Sequence, residues 1–253
     1  NVRSSGTQFQ MPFEVTVGAL KVEPSVVRIA GNACRPVRLT AGLDLPGFAA
    51  FAAGLAVPTV LTGLPITQTP NVAAGHYTHD IQVDAPPQVF EVTATGQPTD
   101  DIDLFVLFDR DGDGVFNQQT EVVGTANGPG PSETIALPAG QPAGRYQAWV
   151  HGSTVAGGSG TFDLRVRVIA GDAVHLANLP AAVRGGQAYT FDVCVRGVDL
   201  ATAPASQEGI VVFGPDGAPG LVQLAVEWVR EPDRWSTFLP SLLYAWEIGT
   251  SGG

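Results

Sequence analysis

DIDLFVLFDRDGDG, residues 101–114, changes character halfway along. In its first half Ile102, Leu104, Val106 and Phe108 alternate with Asp103, Phe105, Leu107 and Asp109. A period of two is the mark of a strand in a sheet with two distinct faces, because successive side chains point to opposite sides. In the second half carboxylates stand at 109, 111 and 113, with a glycine at 114. The stretch therefore reads as a strand that runs into an acidic loop.

The same alternation spreads on both sides. Strands are expected at 78–84, 88–95, 101–109, 120–126, 132–138, 144–152 and 160–170, with turns at Gly96–Pro98, Gly128–Pro131 and Gly157–Gly160. Short strands spaced by turn residues indicate a sandwich or barrel. Upstream, QFQMPFEVTV (8–17) puts Phe9, Met11, Phe13, Val15 and Val17 on one face. Pro12 cannot donate to a ladder, so this strand is expected at an edge. Ala19–Ala30 and Arg35–Thr40 read as further strands, and alanine-rich 47–56 as a short helix weakened by Gly54. Downstream, the stretches VHLANLP, QAYTFDVCVRGV, EGIVVFGPDG and LVQLAVEWVR form a third β unit. The tail 234–248 is apolar and needs cover.

The expected fold is all-β, a tandem of jelly-roll or immunoglobulin-like β-sandwich domains. Its divisions are 1–75, a β domain with an edge-type first strand; 76–172, a sandwich carrying the acidic loop; 173–232, a third unit; and 233–253, the apolar tail. Composition agrees. Among 253 residues, 31 glycines and 20 prolines make about a fifth of the chain, against an average nearer ~12%. Turns must be frequent and long helices few.

A net charge of −11 argues against nucleic acid, which needs clustered cations. No Asp, Glu, Lys or Arg occurs from Leu45 to His79, but Pro46, Gly47, Gly54, Pro58, Gly63 and Pro65 interrupt that run. Buried strands or an interface account for it better than a membrane span. The chain begins at Asn1 with no leader pattern, as a processed product does. Cys34 and Cys194 form no CxxC and suit neither zinc nor redox chemistry. They bridge the two ends of the chain in an oxidising compartment, or else remain buried thiols. Cys194 falls on the face of its strand shared with Thr190, Asp192 and Arg196, which favours a role for the sulfur beyond core filling.

DRDGDG matches the opening of a calcium loop, in which alternate carboxylates converge on one ion. Asp109, Asp111 and Asp113 would supply side-chain oxygens, the Val115 carbonyl a backbone oxygen, and Gly114 the sharp turn. Position twelve is Thr120, and Glu121 falls one residue late. The flanks read as strands, so the loop is not an EF-hand. A solvated acidic turn is the competing reading. His76 and His79 stand three apart, which on a strand faces them oppositely; His151 and His175 stand alone. Gly249–Gly253 fits G-x-S-x-G but lacks the strand–turn–helix setting of a nucleophile. Asp80, Asp84 and Glu91 show no acid–base spacing.

DIDLFVLFDRDGDGVF, followed by EVVGTA, PSETIALPAG, GRYQAWVHGST and GTFDLRVRV, resembles the pre-peptidase C-terminal β-sandwich of secreted bacterial proteases. The resemblance covers roughly 78–170. PFEVTVGALKVEPSVVRIAG is similar to the fibronectin-like segment that trails subtilisin-like proteases, and 173–226 to a further module of that kind. The resemblance implies the C-terminal part of a secreted protease or of a surface protein built from the same modules. That family's catalytic residues have no counterpart in this sequence.

The expectation for function is a non-catalytic structural or interaction module at the cell surface or outside the cell, stabilised by calcium. Its partners would be other protein chains, the parent protease or the cell surface, with no nucleic acid and no membrane role. The alternative is a subunit of an extracellular filament, in which 8–17 or 235–248 completes a neighbour's sheet.

Overall fold

The computed structural model describes residues 20–216 and 222–230. Among these it contains strands, two single-turn 3-10 segments and no α-helix. The all-β expectation holds, and the strands of the described residues form four four-stranded sheets. The stretches 8–17 and 233–253, including the G-x-S-x-G match, lie outside the described residues.

Two sheets enclose one core. The first has the order β1 (Leu20–Glu23), β3 (Cys34–Ala41), β14 (Ala188–Val195), β13 (Val174–Ala177). The second has the order β2 (Val26–Ala30), β16 (Val222–Val229), β15 (Ser206–Pro215), β4 (Phe48–Ala56). Their inner faces bury Ile29, Leu39, Phe191, Phe213, Leu224 and Trp228. The Phe213 ring sits 5.4 Å from Phe191 and 6.3 Å from Phe48. Trp228, wholly buried, donates its indole N–H to the Gly31 carbonyl at 2.9 Å. Burying so large a side chain requires a partner for its one polar atom, and this bond supplies it.

Between β4 and β13 the chain leaves to build a second sandwich. Its sheets are β10 (Ser132–Leu137), β7 (Val89–Thr95), β12 (Ser159–Ile169), β5 (Thr59–Thr67) and β6 (Tyr77–Val83), β11 (Gly144–Thr154), β8 (Asp101–Phe108), β9 (Val122–Ala126), each in that spatial order. Ile102, Leu104 and Val106 of β8 point inward with Phe90, Tyr146, Phe162 and Leu164, as the period-two reading requires. Tyr146 packs between Phe90 (4.8 Å) and Phe108 (4.7 Å) and donates its hydroxyl to Pro142 O. Burial pushes its phenol above the ordinary value.

This nesting corrects the expected division into 1–75, 76–172 and 173–232. Among the described residues, 20–56 forms one sandwich with 174–216 and 222–229, and 59–169 is an insert with its own core. Local periodicity shows that a strand exists but not which distant strand it pairs with, and the deciding ladders are non-local. β3 pairs antiparallel with β14, β4 with β15, and β2 lies parallel to β16. Three smaller corrections follow from the same pairings. The expected strand 19–30 is, over its described part, two strands, Leu20–Glu23 and Val26–Ala30, that belong to opposite sheets. Residues 48–56 are strand β4, because pairing with β15 overrides the helix propensity of alanine. The uncharged run 45–79 supplies β4 to one sandwich and β5 to the other.

The two sandwiches meet at a small apolar contact of Ala53, Ile169 and Ile210. Beside it, Glu208 of the outer sandwich accepts from two arginines of the insert, Arg165 (2.6 Å) and Arg167 (3.0 Å). Arg167 also reaches Glu91 at 3.2 Å. These side chains are partly exposed, so solvent screening limits the pairs' contribution. Glu208→Gln is expected to cost about 1 kcal/mol and to separate the melting of the two sandwiches in calorimetry. An unaltered calorimetric profile would show that the apolar contact alone joins them.

Candidate metal centre

Strand β8 ends at Phe108 and β9 begins at Val122. The connection between them is folded by its own carboxylates. Asp109, 8% exposed, accepts from Gly112 N at 2.9 Å. Asp111 accepts from Asp113 N (3.2 Å) and Asp113 from Val115 N (2.7 Å). Such contacts are the local turns that Asp side chains favour. Gly112 and Gly114 have φ of +76° and +78°, a region costly for any side chain. A Cβ on Gly114 would also lie 2.9 Å from Nη1 of Arg145.

Glu121 closes the loop. It is 4% exposed, and its two oxygens accept from Arg110 N (2.9 Å) and Asn117 N (2.8 Å). Its backbone carbonyl accepts from Phe108 N at 2.9 Å, so one residue ties the loop to the end of β8.

Asp109, Asp111 and Glu121 each offer an oxygen, and these atoms lie within 4.8 Å of one another. Two oxygens bound to one calcium at ~2.4 Å are at most ~4.8 Å apart. The spacing therefore fits, and an all-oxygen donor set suits a hard cation. The cluster could hold a metal ion.

The geometry sorts the expected ligands. Asp109, Asp111 and Glu121 come together, and Glu121 belongs in spite of its offset from position twelve. Asp113 stands outside the cluster, with one oxygen on Val115 N, and the Val115 side chain is exposed. The physical reason is the flanking structure. A helix–loop–helix frame fixes twelve positions around the ion, whereas here two strands and a tightened acidic turn set which carboxylates converge.

Arg145 was not legible as part of this site. Its Nη1 lies 3.8 Å from Asp109 Oδ2, and its guanidinium sits 5.8 Å from the centre of the Phe116 ring. It arrives from β11, which pairs with β8, and its carbonyl accepts from Asp109 N at 3.0 Å. A cation so placed offsets part of the repulsion among the acidic groups.

His76 lies just before β6 and His79 within it; His76 stacks on Trp149 at 4.0 Å and its Nδ1 lies 2.8 Å from Val72 O. His151 does not stand alone. It is buried, with Nδ1 2.9 Å from Asp103 Oδ2 and Nε2 3.0 Å from Thr69 O. Ser153 lines the same shallow cleft of about 370 Å³. In a Ser–His–Asp relay the outer nitrogen faces the serine; here it faces a carbonyl, which ties β8, β11 and the end of β5 together. The partners are 48 and 82 residues away in sequence, beyond the reach of motif reading.

Cys34 and Cys194 are joined in a disulfide. They are direct partners across the β3–β14 ladder. Cys194 lies on the opposite side of β14 from Phe191, Val193 and Val195, as the alternation implied.

No family model and no curated protein matches this sequence. Among solved structures, tripeptidyl peptidase 2 (TPP II) is matched at 10% identity over 88% of this chain and 21% of that one, with a TM-score of 0.37. The enzymatically active domain of bacteriophage CBA120 tailspike protein 4 is matched at 19% identity over 49% of this chain and 19% of that one, with a TM-score of 0.25. The chain spans about a fifth of the length of each.

Proposed function

We propose that this chain is a non-catalytic structural or interaction module that works outside the cell, with calcium bound by Asp109, Asp111 and Glu121. The observation that carries the reading is the convergence of those three carboxylates at the β8–β9 corner of an all-β scaffold. The long-range disulfide supports an oxidising compartment. No helix among the described residues is long and apolar enough to cross a membrane. The all-β fold is compatible with the resemblance of 78–170 to a pre-peptidase C-terminal sandwich. On this reading the module accompanies a secreted protease or a surface protein.

The ion's role is structural. It holds the loop between two strands of the insert, and the stability it adds grows with free calcium by mass action, about 2.7 kcal/mol at a hundred times the Kd. Thermal melts at rising free calcium should move upward, and a chelator should reverse the shift. Asp111 is exposed and makes one local bond, so Asp111→Ala should leave the fold intact and remove the calcium response. A melt indifferent to calcium in both proteins would establish a solvated turn instead. Peptidase and glycosidase assays should read blank, and reproducible turnover would overturn the non-catalytic assignment.

A further inference from the structure

Every sheet has two outer strands, and charged side chains on such strands discourage pairing with other molecules. Among the described residues the two longest outer strands are β4 and β5, of nine residues each, and neither carries a charge. They are consecutive in sequence, and Phe51 and Val60 on them and Val57 between them are more than half exposed.

Where they meet, the insert's sheet is incomplete. β12 runs to Ile169, but its ladder with β5 stops at Val166 opposite Thr59. Arg167–Ile169 therefore have no strand on that side among the described residues. A cleft of about 500 Å³ opens there between the two sheets. Leu55, Val57, Ile81, Val166 and Val168 give it apolar surface, and His79, Asp80, Gln82 and Asp84 give it polar groups. Its size is that of a ligand cleft, ~300–1,000 Å³.

We propose that this cleft and the adjoining edge of β5 accept residues 8–17 of a second copy of the chain as an added strand. The stretch alternates, with Phe9, Met11, Phe13, Val15 and Val17 on the side that would enter between the sheets. Gln8, Gln10, Glu14 and Thr16 would face water. Beside β5 the added strand has a neighbour on one side only, so the missing N–H of Pro12 can point outward at no cost. The occupant is a neighbour's segment for a reason of reach. Val17 is three residues from Leu20, whose strand β1 lies in the other sandwich, paired with β3 and packed against β16. Three residues span at most about 10 Å. Within one copy that tether would start from the edge of its sheet opposite β13, the strand that packs on β4 at the cleft. A contact between two different surfaces joins molecules head to tail, into a ring where its rotation closes and into an open chain where it does not. The inference rests on the reading of the protein as an interaction module but not on its metal.

Two full-length variants test it. Val57→Arg with Val60→Glu alters exposed acceptor positions, and Phe9→Asp with Phe13→Asp alters the donor. Sedimentation velocity should show concentration-dependent association of the unaltered protein and monomers for each variant alone. An equimolar mixture of the two variants should give one-to-one dimers and nothing larger, because each supplies the half the other lacks. Circular dichroism melts of the acceptor variant check that its fold is kept. Association that persists in either variant, a mixture that stays monomeric, or an unaltered protein that is monomeric throughout would overturn the proposal. Loss of association on changing Leu242→Asp and Leu243→Asp instead would identify the tail as the donor, and overturn it too. Repeating the runs with chelator separates this outcome from the calcium reading, since association should survive.

Discussion

Replacement of both Cys34 and Cys194 by alanine should unfold the outer sandwich tens of degrees before the insert. The disulfide closes a loop with a sequence separation of 160. A loop of that length, if wholly flexible, corresponds to about 5 kcal/mol of denatured-state entropy. The loop is not wholly flexible, because the insert keeps its own core. Only roughly forty residues between the cysteines belong to the outer sandwich, which lowers the figure to about 4 kcal/mol. For a domain of this size that moves Tm by on the order of 15 °C or more. Calorimetry of the reduced or doubly substituted protein should show a single transition becoming two, the earlier one carrying the outer sandwich. A shift of the insert as well would mean that the two cores unfold as one unit.

The second large effect is at Glu121. Its carboxylate is buried, holds two backbone N–H groups and contributes to the acidic cluster. In Glu121→Gln one acceptor oxygen becomes an NH₂ that faces an N–H donor. Losing a charge-assisted bond and leaving a part-buried donor facing another donor costs about 2 kcal/mol. Urea denaturation in chelator measures that term without the metal. In saturating calcium the loss should be larger, because a ligand is gone as well. A change within ~0.5 kcal/mol would place Glu121 among ordinary surface positions and remove the case for a built loop.

What could be read in advance followed the range of each interaction. Strands β6 to β12 were legible to within a few residues at each end because each carries its own alternation and its own turn residues. The alternation put Ile102, Leu104 and Val106 on one face, and that face lies in the core. Pairing partners were not legible. Nothing in VVRIA announces a parallel neighbour two hundred positions later, and Ala-rich 48–56 follows β15 rather than its own propensity. The acidic loop shows the same divide. Asp109 and Asp111 were marked by spacing along the chain, whereas Arg145 joins them through a ladder and Asp113 is turned aside by its bond to Val115 N. His151 and Asp103 are brought together by the β8–β11 register, which no local motif contains.

The insert departs and returns at nearly one point: Gly54 N lies 3.4 Å from Gly171 O, and Ala173 N donates to Gly54 O at 2.8 Å. A pull applied at Leu20 and Arg230 would thus act on the parallel β2–β16 ladder of the outer sandwich and bypass the insert. Stretched between neighbours, such a chain would carry load in its outer sandwich while the one with the acidic loop hung slack at the side. Mechanical work would be borne by one half and the chemistry of the acidic loop kept in the other.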